Sequence, residues 1–229
     1  MVTTSGERST GRSGYRRRRR LPALVFLLVL AVVVGVVWRQ ALSSGSTVVA
    51  AAACPPPTTP TASSDPAAPP AAAPVVGTRV DRATLAATPP AAPRDTSVRV
   101  LNANGQRGQA ALVASDLTQP QIGFVPATDT PSGNDTVYAD QNMQCLGQIR
   151  FGAAGLAQAR TLALVVPCAE LVQDARADAV VDLALGTTFT TATPSTSAQA
   201  VLTALNAAPQ GTPATLDPAT LEAASTASC

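Results

Sequence analysis

Leu21 to Trp38, LPALVFLLVLAVVVGVVW, is an unbroken run of 18 residues without a charge. As a helix rising about 1.5 Å per residue it spans roughly 27 Å, close to the hydrocarbon thickness of a bilayer. A secretory apolar region is usually about 7–15 residues long and ends at a small-residue cleavage site. This run ends instead in Trp38-Arg39, an interfacial aromatic followed by a charge, and Ala41-Leu42-Ser43 makes only a poor cleavage site. The pattern predicts a retained transmembrane helix over residues 21–38. Arg16 to Arg20, with Arg8 and Arg12, lie before it, and only Arg39 lies just after it. Positive charge is retained inside, so residues 1–20 are predicted as a basic cytoplasmic tail. The remainder is then extracytoplasmic, on a single-pass cell-membrane protein. Such arginines can also meet nucleic acid or anionic lipid, but beside an apolar run topology accounts for them.

The formal charge of +2 hides an asymmetry. Eight of the 16 basic residues, all arginine, lie at or before Arg39, whereas Glu7 is the one acidic residue there. The exported part keeps eight arginines against 13 carboxylates, a net charge of −5. That excludes a nucleic-acid partner, which needs a basic face to neutralise phosphates. Histidine is absent, which removes the usual general base, the commonest zinc ligand and any Ser-His-Asp or Cys-His arrangement. Neither a cofactor nor a metal is expected, and the class shifts towards binding rather than catalysis. Cys54, Cys145, Cys168 and Cys229 all fall on the exported side. An even number in an oxidising compartment predicts two disulfides, with three possible pairings. No two are spaced as CxxC, and Cys54 stands too far beyond the apolar run to be a lipidated cysteine.

Residues 39–94 are rich in Pro, Ala, Ser and Thr. Proline removes backbone donors and favours extended chain, and this filler has little apolar surface to bury. The segment reads as a stalk reaching on the order of 100 Å, with Val76 to Ala87 apolar enough to pack as an extra element. Order begins near Asp95. Ser97 to Leu101 alternates as a strand, and Gly108 to Leu117 reads as a helix. Gly123 to Ala127 is a short strand, and Asp129 to Asp135 is turn chemistry. Gln148 to Phe151 is a strand that enters the helix GAAGLAQARTLALVV, which Pro167 stops. Ala169 to Val172 is a brief extended piece, and Ala179 to Leu185 is the last strand. An irregular insert lies between Val137 and Leu146. The order βαββαβ predicts an α+β fold, a two-layer sandwich with two helices on one face of a four-stranded sheet. Residues 190–229 form a tail with a helix from Ser197 to Ala207 and a short one capped at Asp217-Pro218.

The runs VRVLNANGQRGQAALVASDL, IRFGAAGLAQARTLALVVPCAELV and VVDLALGTTF resemble, in order and spacing, the LytR C-terminal domain family over residues 95–189. In many members this domain is appended to a LytR-CpsA-Psr catalytic domain that transfers glycopolymers to the cell wall. Only stalk lies between the span and residue 95 here, so the resemblance implies a non-catalytic protein of the cell envelope. Its expected partners are envelope proteins or a cell-wall glycopolymer. An accessory subunit of glycopolymer ligation is the alternative.

Three sets of residues are candidates for function or for stapling. Asn104, Gly105, Arg107 and Gly108 follow a strand and open a helix, where backbone N–H groups can cradle an anion such as a glycopolymer or lipid head group. The plainer role for these glycines is the turn itself. Arg99, Arg150 and Asp182 sit mid-strand, out of phase with the pairs Val98/Val100, Ile149/Phe151 and Val181/Leu183. With the first strand placed between the third and the last, they line up opposite the helices. They then form either a polar docking face or an ion-pair row on a solvated surface. Cys145 and Cys168 bracket the third strand and its helix and are predicted to pair, leaving Cys54 with Cys229.

Overall fold

The computed structural model describes residues 53–58 and 76–226, with five residues between 25 and 34. The chain divides into two units, Met1–Thr47 and Val48–Cys229. In the first, Val25, Leu27, Leu28, Leu30 and Val34 are helical and exposed. The rest of the predicted span and the basic tail lie outside the described residues. Among the described residues no helix is long and apolar enough to cross a membrane.

The second unit is a mixed α+β fold. Its strands are β1 (Thr78–Arg79), β2 (Ser97–Asn102), β3 (Val125–Pro126), β4 (Ser132–Asn134), β5 (Gly147–Phe151), β6 (Glu170–Gln173) and β7 (Val181–Leu185). Its helices are α1 (Arg82–Ala86), α2 (Gln109–Leu117), α3 (Leu156–Val165), α4 (Thr196–Ala207) and α5 (Pro218–Ser225). The sheet has seven strands, not four, in the order β1-β6-β5-β7-β2-β3, with β4 also paired to β2. β4 falls in a stretch predicted as turn only. The last strand, β7, lies between β5 and β2, which corrects the expected placing of β2 between β5 and β7. It runs antiparallel to β5 and parallel to β2. All five residues of β7 are buried, as suits a strand covered on both faces.

Val98, Val100, Ile149, Phe151, Val181, Leu183 and Leu185 point to one side of the sheet. There they meet Ala110, Val113 and Leu117 of α2 and Ala159 and Leu162 of α3. The tail is part of the fold. α4, capped by the Ser195 side chain accepting from Ala198 N at 3.1 Å, sends Leu202 into the main core. Ala198, Val201 and Leu205 pack with Leu164 of α3 and Ala224 of α5. The C-terminal end of α4 is closed by Arg94, which donates to the carbonyls of Asn206 and Ala208 at 2.7 Å each. A cation there also suits the helix dipole.

Parts of the predicted stalk likewise pack on the domain. β1 adds antiparallel to β6, and Leu85 of α1 is buried in the main core. Further upstream, Cys54 is 1% exposed and forms a disulfide with Cys145. This corrects the expected pairings Cys145–Cys168 and Cys54–Cys229. The physical reason is the fold of the insert. Residues around Tyr138 and Met143 lie over the sheet face away from the main core and form a small cluster with Ala103, Cys145 and Ala184. Residue 54 is laid against that cluster, with the Tyr138 hydroxyl donating to the Pro55 carbonyl at 2.5 Å and Arg79 donating to the Cys54 carbonyl. Gly186 permits the close packing, since a Cβ there would fall 2.0 Å from the Cys145 carbonyl oxygen. Cys168, which follows α3, is also in a disulfide, and Cys229 lies outside the described residues.

Candidate functional site

The second face of the sheet carries the polar residues that alternate with the core. Asp182 of β7 is in register with Arg99 of β2 on one side and Arg150 of β5 on the other. The three predicted residues thus share one face of the sheet, but in two separate ion-pair clusters and not as a solvated row. Arg99 forks onto Asp182, with Nε to Oδ1 and Nη2 to Oδ2 both 2.8 Å. Arg176, from the turn before β7, donates to Asp182 Oδ2 at 2.7 Å and to Asp174 Oδ2 at 2.6 Å. Arg150 turns away from Asp182. Its Nη1 and Nη2 reach Asp135 Oδ1 and Oδ2 at 2.8 and 2.7 Å, and its Nε donates to Gln148 Oε1 at 3.0 Å. The Tyr138 ring stacks beside this guanidinium, 5.7 Å from its centre to Cζ.

Burial separates the members. The side chains of Asp135, Asp182 and Arg150 are 0%, 3% and 5% exposed, whereas Arg99 is 35% exposed. Hydrogen bonding to Asp182 raises the Arg99 pKa further, so it stays charged throughout. Burial alone would lower that of Arg176, but its bonds to Asp174 and Asp182 outweigh this and raise it. For Asp174, burial pushes the carboxyl up, yet the Arg176 side chain and backbone outweigh it and hold it below the usual value. A carboxyl lowered in the folded state stabilises the fold above its unfolded pKa of about 3.9 and loses that contribution as pH falls through the folded value. Unfolding stability is therefore expected to fall more steeply below about pH 4 than in an Arg176→Gln variant. Urea melts at pH 6 and pH 3 check this, and an equal acid loss in both proteins contradicts it.

A cleft of about 370 Å³ opens over these clusters, walled by Arg99, Leu101, Asn134, Val137, Arg150 and Arg176. Its three arginines are matched by Asp135, Asp174 and Asp182, which also line it. Every charge is answered, so the cleft offers directional donors and acceptors beside two apolar side chains, with no spare cation for a phosphate. Among the described residues no cluster of three His, Cys, Asp or Glu side chains could hold a metal.

Asn104, Gly105, Arg107 and Gly108 lie at the far end of β2 and do not line this cleft. Asn104 Nδ2 donates to the Gly186 carbonyl at 2.8 Å and to Gln109 Oε1 at 2.6 Å, and its Oδ1 accepts from Gln106 N at 3.0 Å. Gly105 and Gly108 take φ of 73° and 80°, the left-handed region that glycine tolerates. These four residues build a turn and start α2, and Arg107 is exposed. Sequence reasoning missed Asp135, Asp174 and Arg176. Asp135 stands in a turn and Arg176 in a loop, where no periodicity marks them. The one clue was an arginine at mid-strand in β5, which needs a carboxylate once that strand is covered.

Residues 95–189 match the family model described as LytR cell envelope-related transcriptional attenuator. The chain is 50% identical over 116 residues to the cell envelope integrity protein Cei of Mycobacterium tuberculosis. That alignment covers 51% of each, so the chain matches about half the length of this curated relative. The crystal structure of the soluble domain of a conserved hypothetical secreted protein from Mycobacterium marinum is similar, with a TM-score of 0.59 and 45% identity. The match covers 67% of this chain and 99% of that domain. By these matches, and by the strand–turn–helix order that carries them, the chain belongs to the LytR C-terminal domain family, in the group that includes Cei.

Proposed function

We propose that this chain is a non-catalytic, membrane-anchored protein of the cell envelope, whose extracytoplasmic domain binds an envelope polymer or protein in the cleft over Asp182. The balanced charge of that cleft carries the reading. Three guanidinium groups and three carboxylates answer one another beside Leu101 and Val137. Such a surface suits an uncharged, hydroxyl-rich ligand, because sugar hydroxyls can share the outer donors and acceptors while a ring face covers the apolar side chains. Secretion of the M. marinum relative, the envelope name of Cei and the disulfide all support the compartment. The anchor rests on the apolar run 21–38.

In-cell photo-crosslinking tests the reading. A photoreactive residue at Leu101, within the cleft, is expected to capture cell-wall glycan or an envelope protein. The same residue at Leu112, 68% exposed on α2, is expected to capture neither. Equal capture from both positions, or none from Leu101, rejects the cleft as the binding site.

A further inference from the structure

A second cleft lies on the helix side, away from the ion-pair face. It has a volume of about 160 Å³ and is walled by Arg82 and Leu85 of α1, Arg160 and Leu164 of α3, Leu171 of β6 and Ser225 of α5. Two cations thus share an otherwise mostly apolar pocket. Arg82 spends one nitrogen on the Ala169 carbonyl, at 2.8 Å. Arg160 is only 8% exposed, and its Nε has no hydrogen-bond partner. Among the described residues neither arginine forms an ion pair, in contrast to Arg99, Arg150 and Arg176 on the opposite face. Burial lowers the pKa of both guanidinium groups, and only for Arg82 does a carboxylate, that of Asp81, offset it. A buried, hydrogen-bonding cation without an anion destabilises a fold. Its presence is accounted for when the anion comes from outside.

We propose that this cleft binds an anionic amphiphile: a phosphate monoester or carboxylate head held by Arg160 and Arg82, with the first carbons of its alkyl chain against Leu85, Leu164 and Leu171. Cavities of about 150 Å³ accept a guest the size of benzene, so the pocket takes the head and a few methylenes and leaves the remaining chain outside. The net charge of −5 on the exported part disfavours casual anion binding, which makes a local pair of cations selective.

The test uses the unit Val48–Cys229, since the related M. marinum soluble domain crystallised by itself. Octyl phosphate and octanoate, below their micelle concentrations, are titrated by calorimetry against inorganic phosphate and octanol. Both amphiphiles are expected to bind at least ten-fold more tightly than either control. Arg160→Met is expected to weaken them at least ten-fold while leaving the unliganded melting temperature unchanged or higher, because it removes a buried charge that has no partner. Arg82→Met is expected to weaken them several-fold. Phosphate binding as tightly as octyl phosphate, octanol binding as tightly, or Arg160→Met keeping its affinity each overturns the proposal. Should Arg160→Met fail to fold, methyl shifts decide: Leu85, Leu164 and Leu171 must move on adding octyl phosphate to the unsubstituted protein, and their failure to move overturns it.

Discussion

Arg150→Met is expected to lower the unfolding free energy by about 3–5 kcal/mol, because it strands a fully buried Asp135 carboxylate without its cation. For a unit of this size that corresponds to a melting temperature lower by roughly 6–20 °C. The double substitution Arg150→Met/Asp135→Leu should recover most of the loss, since a buried pair replaced by apolar groups of similar volume is often neutral. Arg99→Met should cost only about 1 kcal/mol or less, because Arg99 is partly solvated and Asp182 retains Arg176. Thermal and urea melts of the four proteins separate these expectations. A single Arg150 variant within about 1 kcal/mol of the parent contradicts them, as would a double variant no better than the single.

The second large effect belongs to the disulfide. Cys54 and Cys145 are separated by 91 residues, and the chain-entropy model assigns a closed loop of that size between 4 and 5 kcal/mol, on the order of the largest native values. Paired Cys54→Ser/Cys145→Ser substitution is expected to lower stability by about 2–5 kcal/mol. The loss should come with faster proteolysis around residues 53–58, whose remaining ties are few: Tyr138 to Pro55, Arg79 to Cys54 and Thr58 to Asp140. Peptide mapping without reductant gives the direct check, since a Cys145–Cys168 peptide contradicts the pairing itself.

What could be read from the residues was local. The apolar pairs Val98/Val100, Ile149/Phe151 and Val181/Leu183 mark strands wherever their neighbours lie. Pro167 stops α3, and Asp217-Pro218 starts α5, with Asp217 Oδ2 accepting from Thr220 N at 2.9 Å. Partnership between distant segments was less legible. The same alternation fits β7 at the edge or at the centre, and only its near-continuous apolar run, AVVDLAL, hinted that both faces are covered. β4 is three residues, SGN, without an apolar pattern, so pairing to β2 alone makes it a strand. The site was legible to the same degree. Strand phase placed Arg99, Arg150 and Asp182 on one face. Which carboxylate takes Arg150 depended on how a turn 15 residues upstream folds back over the sheet. Cysteine pairing depended on that same insert.

Because Cys54 is bonded covalently to Cys145, which stands just before β5, a pull on the chain ahead of Cys54 enters the fold through a sulfur bridge beside the sheet. The covalent path from Cys54 to Cys145 then bypasses the residues between them. Reduction would transfer the strain to the β1–β6 edge, two residue pairs wide, turning a shielded anchorage into one that can peel open.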